Sequence, residues 1–224
     1  MLRILSANLW HGRADASAFA ALVSELDVSV VAVQELGPRQ ADVLARLLPH
    51  GKLEPTPEGQ GLGLALRHAA EVRRLALPQR DAHVARLSPG AWPGLEQSVE
   101  VVNTHLANPV IGVPAAWGYR RGQVAGLAAY LAHAEPCPRV LVGDLNSTPG
   151  WPAYGRLAAE LDDAAVIAAA RRGRAPEPTW GPYPGAPRLL RIDHVLIDGF
   201  DVLDFRVVTL PGSDHSAVLA ELAV

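Results

Sequence analysis

Four stretches of this 224-residue sequence set polar side chains at the ends of apolar runs: Asn8 after LRILSA, Glu35 after VVAVQ, Asp144 with Asn146 around RVLVGDLN, and Asp214 with His215 before SAVLAELAV. Asn and Asp are ordinary turn residues, because their side chains hydrogen-bond nearby backbone. Glu35 and Asp144 ask for more, since a carboxylate closing an apolar run is costly to desolvate unless it meets a partner or a cation. Hard oxygen donors gathered from several strand ends suit Mg²⁺, which takes one or two carboxylates and completes its shell with water and phosphate oxygens. A phosphate ester repels hydroxide. A cation that neutralises its oxygens lowers the barrier to attack by water, and a well-placed acid or base adds typically ~10²–10⁴ in rate.

The elements that must position these groups are legible in outline. In LRILSANLW, Leu2, Ile4 and Ser6 alternate with Arg3, Leu5 and Ala7, the period of a strand. Residues 15–26 carry Phe19, Leu22, Val23 and Leu26 at helical spacing, and VSVVAVQEL is a β-branched run of the kind buried on both faces. A helix is expected over 38–48 with Pro38 in its first turn, and strands over 61–67 and 96–105. Between them Pro78, Pro89 and Pro93 interrupt any period, so edge strands and loops are expected. A loop holding Pro109 and Pro114 leads to an amphipathic helix over 115–133, the strand RVLVGD, a short helix over 151–160 and a Gly/Pro/Arg-rich loop over 171–188. Three strand signals close the chain: LRIDHVLID, FDVLDFRVVTL and SAVLAELAV. No linker and no 20- to 50-residue repeat appears, so one layered α/β domain over 1–224 is expected.

Composition narrows the function classes. The sequence is 49% hydrophobic and 19% charged, which excludes disorder as the main state. No apolar run approaches the roughly 18 residues of a membrane span, and the opening lacks the pattern of a signal peptide, so a cytoplasmic location is expected. Cys137 stands alone, which excludes an intramolecular disulfide and a cysteine zinc site. Net charge is −3, and of the 20 basic residues only Lys52 is a lysine. That argues against tight, nonspecific coating of a nucleic acid, though not against nucleic acid as substrate.

The order SANLW, VQE, NTHL, GDLNSTP, RIDHVL, SDHSAV, running from residue 4 to residue 219, resembles the endonuclease/exonuclease/phosphatase superfamily. Pancreatic-type deoxyribonucleases, abasic endonucleases, inositol polyphosphate 5-phosphatases and neutral sphingomyelinases belong to it. The resemblance implies a four-layer α/β/β/α sandwich of two mixed β-sheets with a divalent-metal phosphoesterase site at one edge. It implies Glu35 as the main metal ligand with Asn8 beside it and Asp214 at the metal, holding one Mg²⁺ or Mn²⁺. His105 corresponds to a residue that bonds the scissile phosphate or acts as acid, Asp144 to one that orients or deprotonates water, and Asn146 to one that holds water and a phosphoryl oxygen. Asp193 would orient His215. Thr179 and Trp180 resemble the family's PTW segment, which puts Thr179 near the phosphate.

Two departures stand out. Trp10 occupies a position where several nucleases of the superfamily place an acid, and no tyrosine precedes the end of the NTHL strand. Glu71 and Glu100 are the carboxylates considered as partners for His105. Trp117, Arg120 and Arg121 follow the NTHL loop at the rim where the resemblance puts substrate, and two cations there could grip a phosphate. A nuclease cleaving DNA or RNA by direct water attack is the first expectation. The alternative is a phosphatase or phosphodiesterase for phospholipid headgroups, sugar phosphates or nucleotides. A catalytically silent binding module is the reading from another class, and the complete set from Glu35 to His215 argues against it. No obligate protein partner is expected.

Overall fold

The computed structural model describes residues 1–109 and 114–224. The loop expected between Pro109 and Pro114 thus lies partly outside the described residues. The chain opens with β1 (Leu2–Asn8), α1 (Ala16–Glu25), β2 (Val30–Leu36) and α2 (Pro38–Leu47). Asp15 caps α1 by accepting from the Ala18 N–H at 2.8 Å, and Pro38 takes the first turn of α2. Five strands follow: β3 (His50–Glu54), β4 (Gly61–Leu66), β5 (Glu71–Leu75), β6 (Ala82–Leu87) and β7 (Val99–His105). Next come α3 (Pro114–His133), β8 (Arg139–Asp144), α4 (Pro152–Leu157), β9 (Asp162–Asp163) and α5 (Ala164–Arg171). The chain ends with β10 (Asp193–Asp198), β11 (Asp201–Val208) and β12 (Ala217–Ala223).

These strands form two six-stranded sheets, in the orders β11-β12-β1-β2-β4-β3 and β5-β6-β7-β8-β10-β9. Each sheet is mixed, with one parallel pair: β1 with β2, and β7 with β8. Parallel neighbours need a crossover, and α1 and α3 supply it. Period-two alternation then sorts the side chains into three cores. Leu2, Ile4, Val30 and Ala32 meet Val99, Val101, Val140 and Val142 between the sheets. Leu5, Val31 and Val33 turn the other way, under Phe19 and Val23 of α1 and Leu44 of α2. Val102, Leu141 and Leu196 pack beneath Val124 and Leu127 of α3 and Leu157 of α4. The result is the expected four-layer sandwich.

Two local expectations are corrected and one helix is added, while β5 is the edge strand expected before residue 96. β6 lies inside its sheet, because Pro78 and Pro89 flank it and leave its own N–H groups free to pair with β5 and β7. The helix expected over 151–160 is confined to Pro152–Leu157. α5, which no pattern announced, is capped by Asp163 and sets Ala164, Ala165 and Ala168 against the central core. Among the described residues no helix is long and apolar enough to cross a membrane.

Toward one end of the sandwich the inward face changes character. The parity that buries Val30 and Ala32 continues to Gln34, and the parity of Val99 and Val101 continues to Asn103 and His105. Gln34 Nε2 donates to Asn103 Oδ1 at 2.7 Å, and Asn103 Nδ2 donates to the Gly63 and Val33 carbonyls at 2.8 and 3.1 Å. This buried amide pair joins the two sheets directly beneath the site.

Candidate active site

The parallel strands β1, β2, β7 and β8 deliver their C-terminal ends to one edge, and the antiparallel β10 and β12 deliver their N-terminal ends there. Asn8, Glu35, His105, Asp144, Asp193 and His215 therefore converge from two sheets. Asp144 sits opposite His105 on one side and Asp193 on the other. The preceding Gly143 has φ +138°, and a Cβ there would lie 2.0 Å from the Thr104 carbonyl oxygen, so the GD pair requires glycine.

Asp144 is the hub. Its Oδ1 accepts the Asn146 N–H at 2.8 Å, and its Oδ2 accepts from Asn8 Nδ2 at 3.0 Å. The same Oδ2 lies 3.4 Å from His105 Nε2 and 3.8 Å from His215 Nε2. Burial alone would raise this carboxyl's pKa, but the hydrogen bond from His105 and the nearby charge of His215 hold it well below the usual range. Asp144 is thus held as an anion. Asn146 takes a left-handed conformation, which Asn tolerates, and its Nδ2 donates to the Leu106 carbonyl at 2.9 Å.

His215 Nδ1 lies 2.9 and 3.1 Å from the two oxygens of Asp193. Burial pushes the imidazole pKa down, yet Asp193, with Asp144 and Asp214 behind it, outweighs that and raises it to about 9. Asp193 is itself fixed by Thr179 Oγ1, which donates to Oδ2 at 2.6 Å. With Nδ1 committed, Nε2 is the free edge of the ring. Asp214 beside it accepts from Trp180 Nε1 at 3.1 Å through Oδ2, while its Oδ1 is buried without a hydrogen bond, 4.0 Å from His215 Nε2. Burial, with Glu35 repulsion a lesser cause, raises the Asp214 pKa despite His215 and Trp180.

Glu35 reaches the site through a bulge. The β2–β4 register shifts between Gln34 and Leu36, and Glu35 takes φ +54° there. Without the shift, alternation would send Glu35 to the helix side with Val31 and Val33. Its Oε2 accepts the His11 N–H at 2.6 Å, and its Oε1 is 3.8 Å from His105 Nε2. Trp10 and His11 also have positive φ, so strained backbone gathers at this edge.

His105 has a partner that sequence reasoning missed. Arg80 Nη1 lies 2.7 Å from His105 Nδ1, and a guanidinium can only donate, so Nδ1 accepts and the ring hydrogen belongs on Nε2, toward Asp144. Arg80 comes from the proline-broken stretch before β6, where no pattern marked it. The two carboxylates considered for His105 are elsewhere: Glu100 pairs with Arg139 at 2.9 Å, and Glu71 lies exposed on edge strand β5. Arg188 was also missed. Its guanidinium donates to the carbonyls of Ser213, Asp214 and His215 and pins the loop that carries the last two site residues.

A cavity of about 500 Å³ opens on these groups, with Glu35, His105, Asp144, Asn146, Asp214 and His215 on its floor and Trp10, Tyr119, Trp151 and Trp180 in its walls. Ligand atoms of Asp144, Asp193 and His215 lie within 4.8 Å of one another, a spacing that could hold a metal ion. Asp193 already serves His215 and Thr179, and Asp144 accepts from Asn146 and Asn8, so the carboxylate oxygens without a hydrogen bond are Glu35 Oε1 and Asp214 Oδ1. The orphaned, buried Asp214 Oδ1 is the observation that fits a cation.

Five expected residues are placed otherwise. Asn8 does not line the cavity; its amide holds Asp144 and accepts the Trp10 N–H at 3.0 Å. Thr179 faces Asp193 rather than the cavity. Arg120 is buried, and its guanidinium is consumed by the carbonyls of Ala107 at 2.8 Å and Asn146 at 3.0 Å, so it braces the loop and does not grip substrate. Arg121 and Trp117 line an adjoining groove between α3 and α4, outside the cavity itself.

A two-sheet sandwich with buried carboxylates and an Asp–His pair at one edge defines a phosphoesterase architecture. The model of the Endonuclease/Exonuclease/phosphatase family matches residues 5–215, and the chain belongs to that family, whose members are metal-dependent phosphoric ester hydrolases. No curated protein matches the sequence. Among solved structures, the fold is similar to the 3′ phosphatase NExo from Neisseria bound to product DNA hairpin, with TM-score 0.78 and 21% identity over 100% of both chains. A mannosyl-6-phosphatase of Bacteroides thetaiotaomicron gives 0.75 and 17% over 100% of both chains. D. rerio TDP2 complexed with single strand DNA product gives 0.76 and 16% over 100% of this chain and 99% of that one. At these identities the likeness is one of fold.

Proposed function

We propose that the protein hydrolyses a small-molecule rather than polymeric phosphate ester by direct attack of water, with Glu35 and Asp214 holding one Mg²⁺ or Mn²⁺. The observation that carries this reading is the free Nε2 edge of His215, clamped through Nδ1 by Asp193 and facing Asp144. The bound cation would neutralise phosphoryl charge. Asp144, held as an anion, accepts a hydrogen bond from the attacking water and aligns it. His215, protonated at neutral pH, offers the Nε2 proton to a phosphoryl or leaving oxygen. Asn146 and His105 position the phosphate, and Asn8 and Thr179 hold the two catalytic carboxylates from behind.

Arg120 is spent on the loop, Arg121 and Trp117 line the adjoining groove rather than the cavity, and the cavity's own arginine, Arg80, is engaged with His105, so no row of cations follows a polymer backbone across the site. That favours the phosphatase or small-ester phosphodiesterase reading over the nuclease. Trp10, Trp151 and Trp180 in the cavity wall keep a single-stranded nuclease as the second reading, since each base stacked on an aromatic ring is worth ~1–3 kcal/mol. Bis-p-nitrophenyl phosphate, a single-stranded oligonucleotide and plasmid, offered in parallel with Mg²⁺, separate the two. Ester turnover without chain cleavage is expected; efficient cleavage of the oligonucleotide would reverse the order. Glu35→Gln should raise the Mg²⁺ concentration needed for half-maximal rate at least about tenfold. An unchanged metal requirement would remove Glu35 from the metal.

A further inference from the structure

Beside the catalytic cavity lies a second concavity of about 780 Å³, between α3 and α4. Its character is opposite. Val124, Ala128 and Ala129 of α3 and Ala153 of α4 form the floor, with Pro109 and Pro152 at its ends. Trp117 and Trp151 stand over it with 51% and 39% of their surface in solvent. Large exposed aromatic surface on a folded monomer marks a place where something apolar binds. The rim charges are all of one sign: Arg121 and Arg156 line it, with buried Arg120 bound to two carbonyls beneath, and no acid does among the described residues. The groove is also continuous with the site, because Pro109 and Trp151 line both.

We propose that this groove receives the alkyl chain of a lipid-like phosphate ester whose phosphate lies in the catalytic cavity. The proposal rests on the phosphoesterase reading above and names its substrate class. Cationic rim and apolar floor together complement an anionic amphiphile. A nucleotide chain fits less well, because the floor offers no side-chain donor or acceptor to a base edge. Alkyl chains need none: each methylene taken out of water adds about 0.8 kcal/mol, or about fourfold in affinity. The small side chains at Ala128 and Ala129 leave room for a chain to lie along α3, and the amphipathic indoles of Trp117 and Trp151 suit the junction between chain and headgroup.

The test uses two p-nitrophenyl phosphodiesters that differ only in the second ester group, ethyl or dodecyl, kept below the micelle threshold with Mg²⁺ present. Water attacks phosphorus, the bond to the p-nitrophenyl oxygen breaks, and p-nitrophenolate is counted. The expected result is a KM at least tenfold lower for the dodecyl ester at similar kcat. In Ala129→Trp and in Ala125→Asp, both at exposed positions on α3, that advantage should fall below threefold while the ethyl ester is hydrolysed as by wild type. Dodecyl phosphate titrated against tryptophan emission gives a binding readout independent of turnover, with the response lost in Ala125→Asp. Turnover of neither ester would overturn the phosphoesterase reading. Equal KM for the two, or a chain preference kept by both variants, would overturn the groove alone. A single-stranded oligonucleotide that competes with the dodecyl ester in wild type but not in Ala129→Trp would give the groove to nucleic acid instead.

Discussion

The protein buries two Asp–His pairs, Asp163 with His194 and Asp193 with His215, and only one of them is built for chemistry. Asp163, at the start of α5, accepts four donors: the Ala165 and Val166 N–H groups at 2.9 and 3.4 Å, the Tyr154 hydroxyl at 2.8 Å and Arg191 Nη1 at 2.6 Å. Its neighbour His194 donates from Nε2 to the Ser147 carbonyl at 2.8 Å, and Arg191 faces its Nδ1 at 3.1 Å. Every polar edge is used. Asp193 and His215 start the same way, yet His215 keeps Nε2 open toward Asp144, and Asp214 beside it keeps an orphaned oxygen. Burial and charge are shared by both clusters. What separates a structural clamp from a reactive site is unspent hydrogen-bonding capacity facing a cavity.

The largest effect that tests this contrast is on turnover. His215→Ala or Asp144→Asn should lower kcat, measured on the folded fraction, at least about a hundredfold. Wild-type rates in both variants would dissolve the distinction. Conversely, Asp163→Ala should cost about 3–5 kcal/mol in urea unfolding, because Arg191 is left buried and unpaired, with the specific activity of the folded fraction preserved. Thr179→Val sits between the two. It strips a donor from Asp193, so kcat should fall about tenfold at little-changed KM, and a purely structural Thr179 would shift the melting curve alone.

The smallest effect is a pair of opposite pH trends. Burial works against ionisation of Asp163, but the His194 hydrogen bond and Arg191 outweigh it and lower its pKa. Its stabilising contribution is therefore present above the ordinary aspartate value near 3.8 and is lost as pH falls below it. Folding raises His215, so its contribution is complete below 6.5 and fades as pH rises through about 9, where turnover relying on the imidazolium should fall too. Unfolding free energies of wild type, Asp163→Ala and His215→Ala across pH 3 to 10 resolve the two limbs, each absent from its own variant.

Much of the reactive cluster is legible in the chain, because a carboxylate or imidazole at the end of an apolar strand conflicts with local burial and so stands out. Asn8, Glu35, Asp144 and Asp214 declare themselves in this way. The motif order adds Asp193 and His215. The structural cluster is quiet by comparison: Asp163 before an alanine-rich helix reads only as a possible cap, and Arg191 as one arginine among nineteen. Arg80 and Arg188 lie in proline-rich stretches with no period, and nothing local tells that one meets His105 and the other pins the loop of Asp214. Arg120 misleads in the opposite direction, since its place on α3 suggests a phosphate grip and its guanidinium is spent on two carbonyls.

By itself the sequence determined most of the strands, though not β3 or β9, the apolar alternation that builds the three cores and most of the polar groups at one edge, because these depend on periods of two and 3.6 that short windows contain. Only the tertiary structure decided which of those groups retain an unused valence. It also decided that a bulge turns Glu35 inward, that Thr179 and Asn8 stand behind the carboxylates, and that an apolar groove adjoins the site. Each of these is a matter of what meets what across two sheets, between residues as far apart as Asn8 and Asp144, and no local pattern carries that distance.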